Sequence, residues 1–114
     1  MLRKSLLLAL LVAACSKGPE ADLPSIGEAR SLAAEWALVN EQSAKGHLPA
    51  TYVEAMREQL REQLRSTASA LTDPDAPYGQ EIRALLKQPD DASPETLRAH
   101  SNKLKQIEDQ LESA

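Results

Sequence analysis

Residues 25–46, SIGEARSLAAEWALVNEQSAKG, carry the pattern that decides the fold. Ser25 and Glu28 have the spacing of a capping box, in which both side chains satisfy backbone N–H groups that a first helical turn leaves free. Gly46 is a residue that readily adopts the left-handed conformation in which many helices end. Apolar residues recur between these signals at helical spacing, which indicates a helix with one buried face from Ile26 to about Lys45. These residues are Ala29, Leu32, Ala33, Trp36 and Val39.

Three further helices are predicted downstream. A second capping box, Thr51 to Glu54, opens a helix that continues to about Leu71, and a short helix runs from about Tyr78 to Lys87. Ser93 caps a fourth helix, with Pro94 at its first position. The apolar seam of this fourth helix consists of Leu97, His100, Leu104, Ile107 and Leu111.

The composition argues against a sheet. The chain of 114 residues has no phenylalanine and only 3% aromatic residues, and no stretch alternates with the period of a strand. We therefore predict an all-α fold, a small bundle of three long helices plus one short helix. Helices one and two should form an antiparallel hairpin, because only the short turn at residues 46–50 joins them.

The first fifteen residues have the features of a bacterial export signal. Arg3 and Lys4 precede an apolar run over residues 6–12, which is too short to cross a bilayer core of about 30 Å. The run ends in Val12-Ala13-Ala14-Cys15. This tetrapeptide resembles the lipobox of bacterial lipoproteins, which reads aliphatic, small, Gly or Ala, then Cys.

The resemblance implies cleavage between Ala14 and Cys15 and a diacylglyceryl thioether on Cys15, with fatty acids such as palmitate. An ordinary secretory signal is less favoured, because a lone cysteine in an exported chain has no disulfide partner. By the same resemblance, Ser16 favours export to the periplasmic face of the outer membrane. The expected domains are a signal peptide at 1–14, a lipidated tether at 15–24 and a helical domain at 25–114.

The mature chain is acidic. All 17 acidic residues follow Cys15, whereas two of the 13 basic residues precede it, so the net charge after cleavage is −6. A surface of this sign disfavours nucleic acid as a partner.

The most conspicuous charged pattern is a row of arginines on helix two, Arg57, Arg61 and Arg65. Such a row can clamp phosphate or an acidic partner. However, a glutamate precedes each arginine by three positions, and such pairs stabilise a solvated helix face without any ligand. We therefore expect Arg61→Ala to change stability by no more than about 0.5 kcal/mol. The glutamates are Glu54, Glu58 and Glu62.

Trp36 and the two histidines are the remaining candidates for a site. Trp36 lies on the apolar stripe of helix one and is expected to anchor the core, although an exposed tryptophan would mark a binding patch. His47 follows the turn glycine, and His100 is the polar member of the helix-four seam. Neither has a second ligand at metal spacing on its own helix. We expect no metal site, no cofactor and no enzyme activity.

These features predict a membrane-anchored periplasmic lipoprotein, tethered through lipid on Cys15, that acts as a non-catalytic helical interaction module for another cell-envelope protein. The candidate partner-binding residues are Trp36, Arg57, Arg61, Arg65 and His100. One alternative is a structural lipoprotein that self-assembles as a homo-oligomer through the helix-four seam. Another is a small carrier of lipids or other small molecules, which would need an internal cavity.

Overall fold

The computed structural model describes residues 18–114, and this part of the chain contains four helices and no strand. The predicted all-α bundle is therefore confirmed. The helices are α1 (Pro19–Ala44), α2 (Ala50–Ser69), α3 (Pro77–Leu86) and α4 (Pro94–Glu112).

Helices α1 and α2 form the predicted antiparallel hairpin. Gly46 ends the first helix with a φ of 72°, a conformation that glycine adopts without the steric penalty of a side chain. Its N–H group donates to the carbonyl of Ser43 at 3.0 Å, and the N–H of His47 donates to the carbonyl of Gln42 at 3.0 Å. These bonds satisfy carbonyls that the last turn of α1 would otherwise leave free.

The most extensive packing contact of the bundle joins α1 to α4. The two helices run antiparallel, since Asn40 contacts Ala92 whereas Arg30 pairs with Glu108. Ser101 donates its hydroxyl to the carbonyl of Arg30 at 2.9 Å, and Arg98 pairs with Glu41 near the other end of the contact. The predicted apolar seam of α4 packs within the bundle, since Leu97 and Leu104 are fully buried within the chain.

One contiguous core lies between the four helices and has Trp36, 1% exposed, as its largest side chain. The burial of Trp36 agrees with its predicted role as a core anchor. The core spans all four helices, so no helix pair is an independent unit. Its fully buried large residues include Ile26, Leu60, Leu64, Ile82, Leu85, Leu97 and Leu104.

Helix α1 begins at Pro19, seven residues before the predicted start, so the predicted capping box at Ser25 is wrong. Residues 19–24, expected in the tether, form the first turns of this helix. Pro19 is tolerated because the first helical residue needs no N–H group. Pro24 lies inside the helix and leaves the carbonyl of Glu20 without its intrahelical partner, but Glu20 is exposed to water. Residues 15–17 lie outside the described part of the chain, as do the predicted signal and lipobox.

A buried carboxylate explains why the helix extends past Pro24. Asp22 is fully buried, and its Oδ1 accepts the N–H of Thr72 at 2.7 Å. Its Oδ2 accepts the N–H of Asp73 at 3.0 Å and the hydroxyl of Tyr78 at 2.5 Å. Two of these bonds fasten the first turns of α1 to the loop between α2 and α3, and the third fastens them to the first turn of α3. Local sequence rules do not include hydrogen bonds between residues so far apart in the chain.

Of the predicted N-terminal caps of α4 and α2, the first is confirmed and the second is wrong. Ser93 caps α4 as predicted, because its hydroxyl accepts the N–H of Thr96 at 3.1 Å. Helix α2 instead begins at Ala50, with Pro49 in an extended conformation as its N-cap and no side-chain cap, so the predicted capping box at Thr51 is wrong. A proline already holds the φ angle that a chain needs when it enters a helix.

Candidate interaction surface

Arg61 is a half-buried side chain that joins α2 to the segment between α3 and α4, rather than part of a fully solvated face. Its guanidinium donates to the carbonyl of Leu86 at 2.8 Å and to the carbonyl of Gln88 at 2.8 Å. It also pairs with Asp90 Oδ1 at 2.8 Å, and its central carbon lies 4.9 Å from the centroid of the Trp36 ring. The planar fork of an arginine suits such a set of acceptors on one loop.

Three neighbouring side chains complete this contact. Trp36 Nε1 and Asn40 Nδ2 each donate to the carbonyl of Asp90 at 3.0 Å, and Asn40 Nδ2 also donates to the carbonyl of Ala92 at 2.8 Å. Arg57 Nε donates in turn to Asn40 Oδ1 at 2.9 Å. We call Trp36, Asn40, Arg57 and Arg61 the loop clamp, because together they hold residues 86–92 between α3 and α4.

The expectation that the three arginines pair with preceding glutamates is thus wrong for Arg57 and Arg61. Only Arg65 makes such a pair among residues 18–114, with Glu62 Oε2 at 3.1 Å, and both side chains are largely exposed. The loop offers Arg61 stronger acceptors, because the last carbonyls of α3 have no intrahelical donor and lie at the negative end of the helix dipole.

The sequence-based expectation of a change within about 0.5 kcal/mol for Arg61→Ala therefore no longer holds. The substitution is expected to lower the free energy of unfolding by about 2 kcal/mol, since it removes charge-assisted hydrogen bonds from half-buried carbonyls. Arg65→Ala, one turn further along the same row, should stay within about 0.5 kcal/mol of the wild type. Denaturant unfolding of the two variants side by side measures the difference. Equal midpoints would contradict the structural role assigned to Arg61.

The two histidines also make contacts within the chain. His100 Nδ1 lies 2.6 Å from Glu81 Oε1, and the other oxygen of Glu81 lies 3.5 Å from Lys103 Nζ. This cluster ties α3 to α4 at a half-buried position. His47 is exposed, and its Nδ1 lies 2.7 Å from Gln42 Oε1. His100 is thus occupied by a structural contact, although the sequence made it a candidate for partner binding.

The exposed apolar surface lies on the hairpin instead. Leu38 on α1 is 52% exposed and Tyr52 on α2 is 49% exposed, and they are the two exposed large hydrophobic residues of the described chain. Both line one groove of about 220 Å³, which we call the hairpin groove. Its lining is Glu35, Leu38, Val39, Gln42, Leu48, Tyr52 and Met56. A cleft that joins exposed leucine and tyrosine side chains is the kind of surface that binds an apolar partner.

The sequence indicates this groove through two apolar residues that lie outside the buried stripes of their helices. Leu38 follows Trp36 by two positions, which places it about 200° around the helix and away from the core. Tyr52 precedes the buried Val53 by one position and likewise leaves the buried stripe of α2. Reading both helices for apolar residues outside the stripe identifies the pair. Only the fold shows that they share one groove.

A larger depression of about 520 Å³ follows the arginine row and is lined entirely by charged side chains. It is a weak candidate for an anion site because carboxylates outnumber guanidinium groups in its wall. Arg57 and Arg61 are moreover engaged by the loop clamp. Its lining is Glu54, Arg57, Glu58, Arg61, Glu62, Arg65 and Asp90.

Comparison with protein-family models, with curated proteins and with solved structures finds no match to this chain. Within residues 18–114, no cluster of three or more histidine, cysteine or acidic side chains could hold a metal ion. None of the four described helices combines the length and apolar character that crossing a bilayer requires.

Proposed function

We propose that this chain is a lipid-anchored protein of the bacterial cell envelope whose four-helix domain is a non-catalytic interaction module for another envelope protein. The observation that carries the proposal is the exposure of Leu38 and Tyr52 beside each other in the hairpin groove. Apolar side chains of this size gain most from association when they lie together in a cleft that a partner can fill.

The anchor rests on the sequence Val12-Ala13-Ala14-Cys15. Because α1 begins at Pro19, the chain between Cys15 and that helix can span at most about 14 Å. Leu38 lies about 28 Å further along α1. The groove is therefore at the end of α1 remote from the anchor, which suits a partner in the periplasm better than one embedded in the bilayer.

The bundle is better suited to binding than to catalysis. The side chains with the most obvious chemistry, Arg61 and His100, are committed to contacts that hold the loop and helices together. Self-assembly through α4 has less support than partner binding, because Leu97 and Leu104 are buried inside the chain and are not available to a second copy.

The anchor has a direct chemical test. Mass spectrometry of the protein isolated from native membranes should show Cys15 as the first residue, with fatty acyl mass attached. Cys15→Ala should accumulate as an uncleaved precursor that still carries residues 1–14. A free thiol at Cys15, or a mature chain that starts at another residue, would contradict the lipoprotein assignment.

The groove is tested by comparing two double variants in cells of the source bacterium. Leu38→Ser with Tyr52→Ser removes both exposed apolar side chains, and both positions already contact water, so the fold should persist. Ala34→Ser with Thr51→Ser changes exposed positions of the same two helices outside the groove lining.

Brief formaldehyde crosslinking before lysis should give a defined adduct with the wild type and with the control variant, and a much weaker adduct with the groove variant. Circular dichroism of all three purified proteins should show the same helical content. An adduct of equal intensity in all three proteins would contradict binding through the groove.

A further inference from the structure

The rim of the hairpin groove carries negative charge with no compensating base. Glu35 lines the groove and is exposed. Glu28 lies two turns earlier on the same face of α1 and is also exposed. Neither carboxylate has an ion-pair partner within residues 18–114, and no lysine or arginine lines the groove.

Two other acidic groups on α1 are satisfied within the chain. Glu41 pairs with Arg98 and Lys45, and these contacts lower the pKa of its carboxyl group, chiefly through the hydrogen bond from Arg98. Asp22 is satisfied by the loop between α2 and α3. Glu20, the remaining acidic residue of α1, is exposed in its first turn and also has no ion-pair partner within residues 18–114. Of the unpaired carboxylates on α1, Glu35 is the one that lines the groove.

We infer that the groove takes a cationic amphipathic segment of the partner protein, a conclusion that rests on the proposed function. Apolar side chains of that segment pack against Leu38 and Tyr52, and a lysine or arginine beside them pairs with Glu35. A helix that places anchors at i, i+3 and i+4 into a groove between two helices is a recurrent mode of recognition. Charge complementarity at the rim sets the orientation and excludes acidic competitors.

A second copy of this chain fits the groove poorly. A twofold contact joins the same patch of both molecules, so it would place two copies of the Glu35 carboxylate in one interface. Like charges on the rim oppose that contact. A basic partner segment meets no such repulsion.

The test maps the partner segment through a photoreactive group placed in the groove. The full chain carries p-benzoylphenylalanine in place of Leu38, and the adduct formed in intact cells is digested and sequenced by mass spectrometry. The crosslinked partner peptide should have apolar residues at helical spacing and a lysine or arginine within one turn of them. A neutral or acidic peptide, or crosslinking to a second copy of this chain, would overturn the inference.

Charge reversal then tests the pairing itself. In the chain that carries the photoreactive group, Glu35→Lys should reduce the adduct about fivefold, as expected when a rim ion pair becomes a repulsion. The matched control is Glu112→Lys, at the exposed last residue of α4, which should leave the adduct unchanged. Reversing the mapped partner lysine or arginine to glutamate should restore the adduct of the Glu35→Lys chain.

The two proposals fail in different ways. A total lack of groove-dependent adduct contradicts the proposed function as well as this inference. An adduct that depends on Leu38 and Tyr52 but does not respond to Glu35→Lys leaves the proposed function standing and overturns only the cationic partner. Equal losses for Glu35→Lys and Glu112→Lys would show general attraction to an acidic domain and would also overturn it.

Discussion

Trp36→Ala is expected to lower the free energy of unfolding by about 3–5 kcal/mol, in the range of large aromatic truncations in cores. The side chain is 1% exposed, and its removal leaves a cavity in the middle of the bundle. It also deletes the N–H that the carbonyl of Asp90 accepts and the ring that lies under Arg61. A domain of this size has a total stability of about 5 kcal/mol, so the variant should be largely unfolded. Thermal unfolding followed by circular dichroism measures the loss.

Two further variants separate the loss of buried apolar volume from the loss of the hydrogen-bond donor and provide an exposed control. Trp36→Phe keeps most of the apolar volume but lacks the N–H donor, so it should lose about 1–2 kcal/mol. Leu38→Ala truncates an apolar side chain that is 52% exposed and should remain within about 1 kcal/mol of the wild type. A Trp36→Ala variant that melts like the wild type would place Trp36 outside the core.

The second large effect is expected at Asp22. Asp22→Ala removes the acceptor from three donors at once, the N–H groups of Thr72 and Asp73 and the hydroxyl of Tyr78. A buried donor left without a partner costs about 1–3 kcal/mol, so the variant should lose about 3–5 kcal/mol in unfolding free energy. Because Asp22 fastens the first turns of α1 at this point, the loss should appear as fraying of residues 19–24. Amide hydrogen exchange measures it directly.

Because the pKa of Asp22 is lowered in the folded protein, the free energy of unfolding should depend on pH. Burial acts to raise the pKa of Asp22, but the hydrogen bonds from Thr72, Tyr78 and Asp73 outweigh it and hold the pKa below its ordinary value of 3.8. Burial and the bond to Asp22 raise the pKa of Tyr78, so that its hydroxyl keeps its proton and remains a donor. When the pKa of a carboxyl group is lower in the folded state than in the unfolded state, its ionised form stabilises the fold. This stabilisation is complete at pH values above the pKa of the unfolded state. That stabilisation is lost as the pH falls through the folded value.

Asp22→Asn tests this linkage, because it preserves the shape of the side chain but cannot ionise. Its NH₂ group faces an N–H donor or the Tyr78 hydroxyl in place of one carboxylate oxygen. The difference in unfolding free energy between wild type and variant should be constant near neutral pH and should shrink below about pH 4. The contribution of Glu41, which titrates in the same range, is common to both proteins and cancels. A difference that stays constant down to pH 3 would contradict the role of the ionised carboxylate.

Local rules predict the parts of this fold that depend on neighbours in sequence. The stripe around Trp36, the turn at Gly46 and the cap at Ser93 each act within a few residues, and the structure has them as predicted. The start of α1 differs from the prediction because Ser25 and Glu28 have the spacing of a capping box, which favours a start at Ile26. The helix instead begins at Pro19, and the hydrogen bonds that hold its first turns join Asp22 to residues about 50 positions away.

The candidate site was harder to predict for a related reason. The spacing of Arg61 and Glu58 is compatible with a surface pair, and nothing nearby in sequence reveals that the carbonyls of Leu86 and Gln88 lie within reach. Leu38 and Tyr52 belong to different helices, so their shared groove exists only after the hairpin has formed. The net negative charge of the chain is apparent from its composition, but the position of Glu35 in a groove that no lysine or arginine lines depends on the fold.

The central claim is that the hairpin groove binds another envelope protein, and site-specific photo-crosslinking at Tyr52 measures this most directly. In intact cells, p-benzoylphenylalanine at position 52 should yield one predominant adduct with a second protein after irradiation. The same group at Asn102, an exposed position on α4, should yield none. Adducts of the same partners and equal intensity from both positions, or no adduct from position 52, would contradict the account.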